Sequence, residues 1–149
     1  MAKSVPYQAA GRRLQETINR VLEALTAVSA LLLLLCAHSA LAGPIKPYNK
    51  ADVDKLASEG RPILLDFTAT WCPTCAAQAP IIRELMAQNK YKDLTMFTID
   101  FDKDTELLTT YDVPVQSTLI VFSGKTEEGR SVGDTNRDDI EHLLSKVIH

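Results

Sequence analysis

Two cysteines three residues apart stand in the stretch Trp71-Cys72-Pro73-Thr74-Cys75. Side chains three apart are neighbours on one face of a helical turn, so the two thiols can meet. Just before them runs the apolar segment Ile63-Leu64-Leu65-Asp66-Phe67. A strand that ends there and feeds a helix brings Cys72 to the helix N-terminus. The positive end of the helix dipole favours a thiolate, which is the nucleophilic form of cysteine. Such a pair is either redox-active or a small local bridge. A zinc site would need two further ligands, and only His142 and His149 remain for it, both at the far C-terminus.

The elements around the pair follow from hydrophobic patterning. Gly43 to Tyr48 is proline-rich and reads as extended. Asn49 or Asp52 can cap a short helix to about Ser58, which Gly60 and Pro62 end. Pro62 to Phe67 lacks polar alternation, as expected of a central parallel strand covered on both faces. Pro73 suits the first position of a helix, where its missing N–H costs nothing. Ala76, Ala79, Ile82, Leu85 and Met86 form an apolar stripe, Pro80 interrupts it, and Asn89 is expected to end the helix.

Leu94 to Phe101 reads as a second strand, and Asp104 as the cap of a helix to about Tyr111. Thr118 to Phe122 is a third strand. Ser123-Gly124-Lys125 reads as a hairpin turn into a fourth strand ending near Val132-Gly133. Asp134 or Thr135 is expected to start a last helix that buries Ile140, Leu143, Leu144 and Val147. This order is an α/β domain with a parallel part and one antiparallel hairpin. The acidic run Asp100-Phe101-Asp102-Lys103-Asp104 is a solvated strand end and a helix cap rather than a calcium loop.

Residues 1–42 read as an address. A basic stretch with Arg12, Arg13 and Arg20 precedes the apolar run Ala24 to Cys36, and Ala40-Leu41-Ala42 is a small-x-small site. This is the pattern of a signal peptide cleaved after Ala42; the alternative is an uncleaved membrane anchor over Val21 to Ala42. Residues 43–149 then form the domain, which keeps only Cys72 and Cys75. It carries 12 basic and 17 acidic residues, a net of −5. Such a balance gives no attraction for nucleic acid or an anionic membrane surface.

Trp-Cys-x-x-Cys on the turn after the first central strand resembles the thioredoxin family. The resemblance runs over roughly residues 45–148. Asp66 matches the family's buried acid, Phe67 and Trp71 its aromatic flanks, and Pro80 its helix-kinking proline. Asp102, Tyr111, the strand Thr118 to Phe122 and Gly133 fall in register with it after one insertion. Two positions depart. Ser117 stands where the family has a cis-proline, and Thr98 where it has a lysine near the buried acid. A serine adds an N–H and a hydroxyl there, and its preceding peptide bond is expected to be trans.

The resemblance implies a thioredoxin fold: a central mixed sheet with flanking helices, preceded by the N-terminal segment. It implies a Cys72–Cys75 disulfide, with a solvent-accessible Cys72 as attacking thiolate and a more buried Cys75 as resolving thiol. It makes Asp66 the proton acceptor for Cys75, and Trp71, Pro73, Thr74, Gln116 and Ser117 the substrate-facing residues. The expected activity is reduction of disulfides in exported proteins in the periplasm. A membrane electron-transfer protein is the expected source of electrons. The alternatives are a disulfide oxidase or isomerase, or a metal-binding or redox-sensing module. No cofactor, no metal and no nucleic-acid partner is expected, and the domain is expected to be a monomer.

Overall fold

The computed structural model describes residues 42–148, and Glu16, Asn19, Arg20, Leu22 and Glu23, which are helical and belong to a separate N-terminal unit. Most of the expected address segment, its Leu31 to Leu35 run included, thus lies outside the described residues. Among the described residues no helix is long and apolar enough to cross a membrane.

The sheet is organised by β2 (Pro62–Thr68), whose residues Ile63 to Phe67 are all buried. It pairs in parallel with β3 (Thr95–Asp100) and antiparallel with β4 (Thr118–Ser123). The extended segment expected at the N-terminus is a true strand, β1 (Ile45–Pro47), parallel to β3. A hairpin joins β4 to β5 (Thr126–Val132), and Gly124 in its turn takes φ 59°, a conformation side chains rarely adopt. The strand order is β1-β3-β2-β4-β5.

Alternation along β2 sends its side chains to two cores. Leu64, with Met96, Leu119 and Val121, packs against Ile82, Leu85 and Met86 of α2 (Pro73–Met86) and Ile140, Leu143 and Leu144 of α4 (Arg137–Ser145). Ile63, Leu65 and Phe67 pack on the other face with Phe97, Ile99 and Ile120. That face is closed by Val53 of α1 (Lys50–Ser58) and by Leu107 and Leu108 of α3 (Thr105–Thr110). Asp66 belongs to the row of Leu64, so it lies on the face that α2 covers.

Several boundaries differ from expectation. The second helix ends at Met86 rather than Asn89, because Gln88 turns extended and a 3-10 turn, Asn89–Tyr91, follows. That turn buries Tyr91 completely. The last helix begins at Arg137, capped by Asn136, whose side chain accepts from the Asp138 N–H. Asp134 does not cap it, because its carboxylate is taken by the Ser131 hydroxyl. Asp104 lacks a side-chain cap bond into α3; its carboxylate accepts from the Asp100 N–H instead. In α2 the exposed Ala76 is not on the buried stripe, which runs through Cys75, Gln78, Ile82 and Leu85.

At the start of the domain Gly43 donates its N–H to the Met86 carbonyl, 2.9 Å away. A Cβ there would lie 2.5 Å from both the Leu94 and Tyr91 carbonyl oxygens, and backbone atoms cannot step aside. Gly43→Ala is therefore expected to cost about 1–3 kcal/mol, the usual range for overpacking. Urea unfolding checks this through a lower midpoint at unchanged slope. An unshifted midpoint would mean that this approach is looser than described.

Candidate functional site: a dithiol at a helix N-terminus

Cys72 is the N-cap of α2, with extended backbone (φ −84°, ψ 112°), and Pro73 follows at the first helical position. The strand β2 ends four residues earlier at Thr68 and sets this entry. The Cys72 sulfur accepts a hydrogen bond from the Cys75 N–H at 3.0 Å, so a sulfur does the work usually done by a serine or aspartate oxygen. The two cysteines are bonded in a disulfide, with Cα atoms 5.3 Å apart. Unpaired N–H groups of the first turn, together with the helix dipole, favour negative charge at Cys72 once the bond is opened.

The expected contrast in exposure between the cysteines is not observed. Cys72 is 2% exposed and Cys75 6%. The pair clusters with Ala69, Phe101 packs against that cluster, and the loop carrying Ser117 closes over the sulfurs. The exposed part of this edge is Trp71, at 59%, whose indole N–H donates to Asp102 Oδ2 at 2.7 Å. Pro73 is exposed, and Thr74 and Gln116 are half-buried. Val115, beside Gln116, is exposed as well.

Ser117 is brought directly onto the dithiol. Its Oγ lies 3.0 Å from Cys72 Sγ and 3.1 Å from Cys75 Sγ. Its backbone is left-handed, with φ 61°, and the described residues include no cis peptide bond, so Gln116–Ser117 is trans as expected. The extra N–H that serine supplies is not free for a substrate. It donates to the Phe67 carbonyl at 2.9 Å, while the Ser117 carbonyl accepts from the Gly133 N–H at 2.9 Å.

Asp66 is 7% exposed, and among the described residues its carboxyl has no side-chain hydrogen-bond or ion-pair partner. Its in-register neighbours are Thr98 on β3 and Leu119 on β4. Thr98 brings no charge, and its hydroxyl donates to the Lys46 carbonyl. Desolvation alone therefore acts on the carboxyl and pushes its pKa up to about 7. Asp66 and Gln116 make no hydrogen bond to either sulfur; the Ser117 hydroxyl is within hydrogen-bond distance of both. Among the described residues no group of three or more His, Cys, Asp and Glu converges on one point.

The sequence reading missed Gln78. This buried side chain donates from Nε2 to the Asp134 carbonyl at 2.8 Å and to the Ser117 carbonyl at 3.4 Å. Its Oε1 has no partner. The signal was present in the spacing: three residues after Cys75 on a helix is the same face.

Comparison with known proteins agrees with this geometry. The family model described as Thioredoxin matches residues 45–146. A thioredoxin of Mycoplasmoides gallisepticum is 32% identical over 96 residues, covering 64% of this chain and 94% of the relative. A thioredoxin of Mycobacterium tuberculosis is 32% identical over 104 residues, covering 70% and 89%. Among solved structures, Trxlp from Edwardsiella tarda superposes with a TM-score of 0.66 at 34% identity, covering 67% of this chain and 97% of that one.

The buried acid gives a pH-dependent prediction. Below about pH 4 Asp66 is protonated in both the folded and unfolded chain and carries no penalty. Between pH 4 and 7 only the unfolded chain ionises it, so stability falls as pH rises, and above about pH 7 the penalty is complete. A rise from 3.8 to about 7 corresponds to at most about 4 kcal/mol. Asp66→Asn is expected to stabilise the protein by roughly 2–4 kcal/mol at pH 8 and not at pH 4. Urea unfolding of the oxidised protein at both pH values checks this; an equal gain at both would show that burial of charge is not the cause.

Proposed function

This chain belongs to the thioredoxin family and is a thiol-disulfide oxidoreductase, and from that premise we propose that it reduces disulfides of exported proteins through Cys72 and Cys75. The observation that carries the reading is the Cys72–Cys75 disulfide at the first turn of α2. In the reduced state the Cys72 thiolate attacks a client disulfide. A Cys72–client mixed disulfide forms, and the other client sulfur leaves as a thiolate. The Cys75 thiol gives its proton to Asp66, and its thiolate attacks Cys72. The second client sulfur leaves, and the Cys72–Cys75 bond closes. Two electrons pass to the client, and its two thiolates take up protons.

Two features support the reducing direction. No histidine stands between the cysteines to stabilise the thiolate, since the pair encloses Pro73-Thr74. A buried acid with a pKa near 7 suits proton exchange with a thiol at neutral pH. The exposed faces of Trp71 and Val115 beside the dithiol offer an apolar landing surface for a client chain. The basic and apolar pattern of residues 1–42 supports export to the periplasm, by a cleaved signal or a retained anchor. A reductase there needs electrons from a membrane protein that re-reduces the pair. The domain acts as a monomer.

Two measurements test the reading. Cys75→Ser is expected to accumulate mixed disulfides with clients, whereas Cys72→Ser loses turnover; adducts on the Cys72→Ser variant instead would reverse the roles. The reduction potential of the pair is expected near that of reducing family members, about −270 mV. A value close to the strong oxidants, about −120 mV, would replace the reductase by an oxidase.

A further inference from the structure

We propose that Ser117 is a catalytic residue of this dithiol: its hydroxyl, in reach of both sulfurs, donates a hydrogen bond to whichever one carries the negative charge. The distances, 3.0 Å to Cys72 Sγ and 3.1 Å to Cys75 Sγ, are within the range for a sulfur acceptor and nearly equal. A hydroxyl has one proton and a free rotor, so it serves one sulfur at a time and changes partner by turning about Cβ–Oγ. A proline has no proton to donate. The inference rests on the reading that Cys72 attacks and Cys75 resolves.

The hydroxyl is held in place rather than loosely parked. Ser117 is 3% exposed. Its N–H is bonded to Phe67 on β2, and its carbonyl to Gly133 after β5 and to the Gln78 amide of α2. Three separate segments thus fix one residue, and they hold it at φ 61°, a region that a non-glycine residue occupies only when its surroundings insist. The rotor is the one freedom left.

The consequence follows the exchange reaction step by step. Before attack, the charge is on Cys72, and the hydroxyl donates there. After attack, Cys72 is in a neutral mixed disulfide, Cys75 becomes the thiolate, and the same hydroxyl turns to it. When the Cys72–Cys75 bond closes, neither sulfur is charged, and the hydrogen bond is at its weakest. No atom of Ser117 is transferred. The donor favours the reduced, ionised dithiol over the disulfide, because a hydrogen bond to a charged acceptor is the stronger kind.

The other titratable groups around the pair are few. Asp66 comes from β2 on the face that α2 covers. Asp102 lies behind Trp71, and Asp134 beside Gln78, with its carboxylate on Ser131. All three are retained when Ser117 is changed, so their titration is common to the proteins compared.

The test uses the full-length protein and two variants, Ser117→Gly and Ser117→Ala. Glycine removes the hydroxyl and accepts φ 61° without strain; alanine removes it and keeps the strain. The Cys72 pKa is read from alkylation rate against pH, by mass spectrometry of the peptide bearing Cys72. Both variants are expected to raise it by about one unit, a tenfold change in ionisation. The equilibrium with glutathione is expected to move about tenfold toward the disulfide at pH 9, or about 30 mV, and to stay unchanged at pH 5, where both thiols are neutral. Release of a preformed Cys72–glutathione disulfide by Cys75 is expected to slow about threefold at pH 7, since the roughly tenfold loss of thiolate is partly offset by its greater nucleophilicity.

Unchanged pKa and equilibrium in the glycine variant would overturn the proposal, as would an effect confined to alanine or one equal at pH 5 and 9. An effect on Cys72 with unchanged release by Cys75 would overturn service to both sulfurs. Failure of the wild-type protein itself to equilibrate with glutathione would instead remove the exchange chemistry on which the inference rests.

Discussion

Burial of β2 on both faces is the constraint from which the site follows. A strand so enclosed must have its backbone paired on both sides, and β3 and β4 supply those partners. The pairing leaves no freedom in where the strand ends, so Cys72 arrives at a defined place above the sheet. The same enclosure puts Asp66 among apolar neighbours and deprives it of solvent. Position of the sulfur and perturbation of the acid are thus two results of one packing decision.

The rim of the site concentrates features that oppose stability. Asp66 is a desolvated buried acid, Gln78 leaves an amide oxygen unsatisfied, and Ser117 sits in a left-handed conformation. Each departs from what a purely structural core would select, and all three lie on or beside the face of β2 that meets α2. The opposite face, with Ile63, Leu65, Phe67, Phe97 and Ile120, buries a second apolar cluster. Both faces thus carry a core, and the departures gather where the α2 face meets the dithiol.

Much of this was legible in the chain. The unbroken run from Ile63 to Phe67 implied two-sided burial, Pro73 marked the helix start, and Gly124 marked the hairpin. Cys72 and Cys75 could be named from their spacing, and Asp66 and Ser117 from the resemblance to the thioredoxin family. What escaped depended on contacts between distant segments. The three residues of β1 are too short to show a period, and β3 makes them a strand. The absence of proline at 117 was visible, but the path of the Ser117 backbone is dictated by Phe67 and Gly133. Gln78 gave no signal in the apolar stripe around it, because its partners are carbonyls of remote loops. The exposure expected of Cys72 failed for the same reason, since the loop that covers it comes from elsewhere in the chain.

The tether between Trp71 and Asp102 has an optical consequence. The chain contains one tryptophan. Its indole is more than half exposed, is anchored at one nitrogen, and adjoins Cys72. Ultraviolet emission from this protein, excited at wavelengths only indole absorbs, therefore originates at the rim of the dithiol and nowhere else. Opening of the sulfur pair, arrival of a client chain, or release of the anchor each alters the surroundings of that one chromophore. The molecule carries its own light source at the place where its chemistry happens.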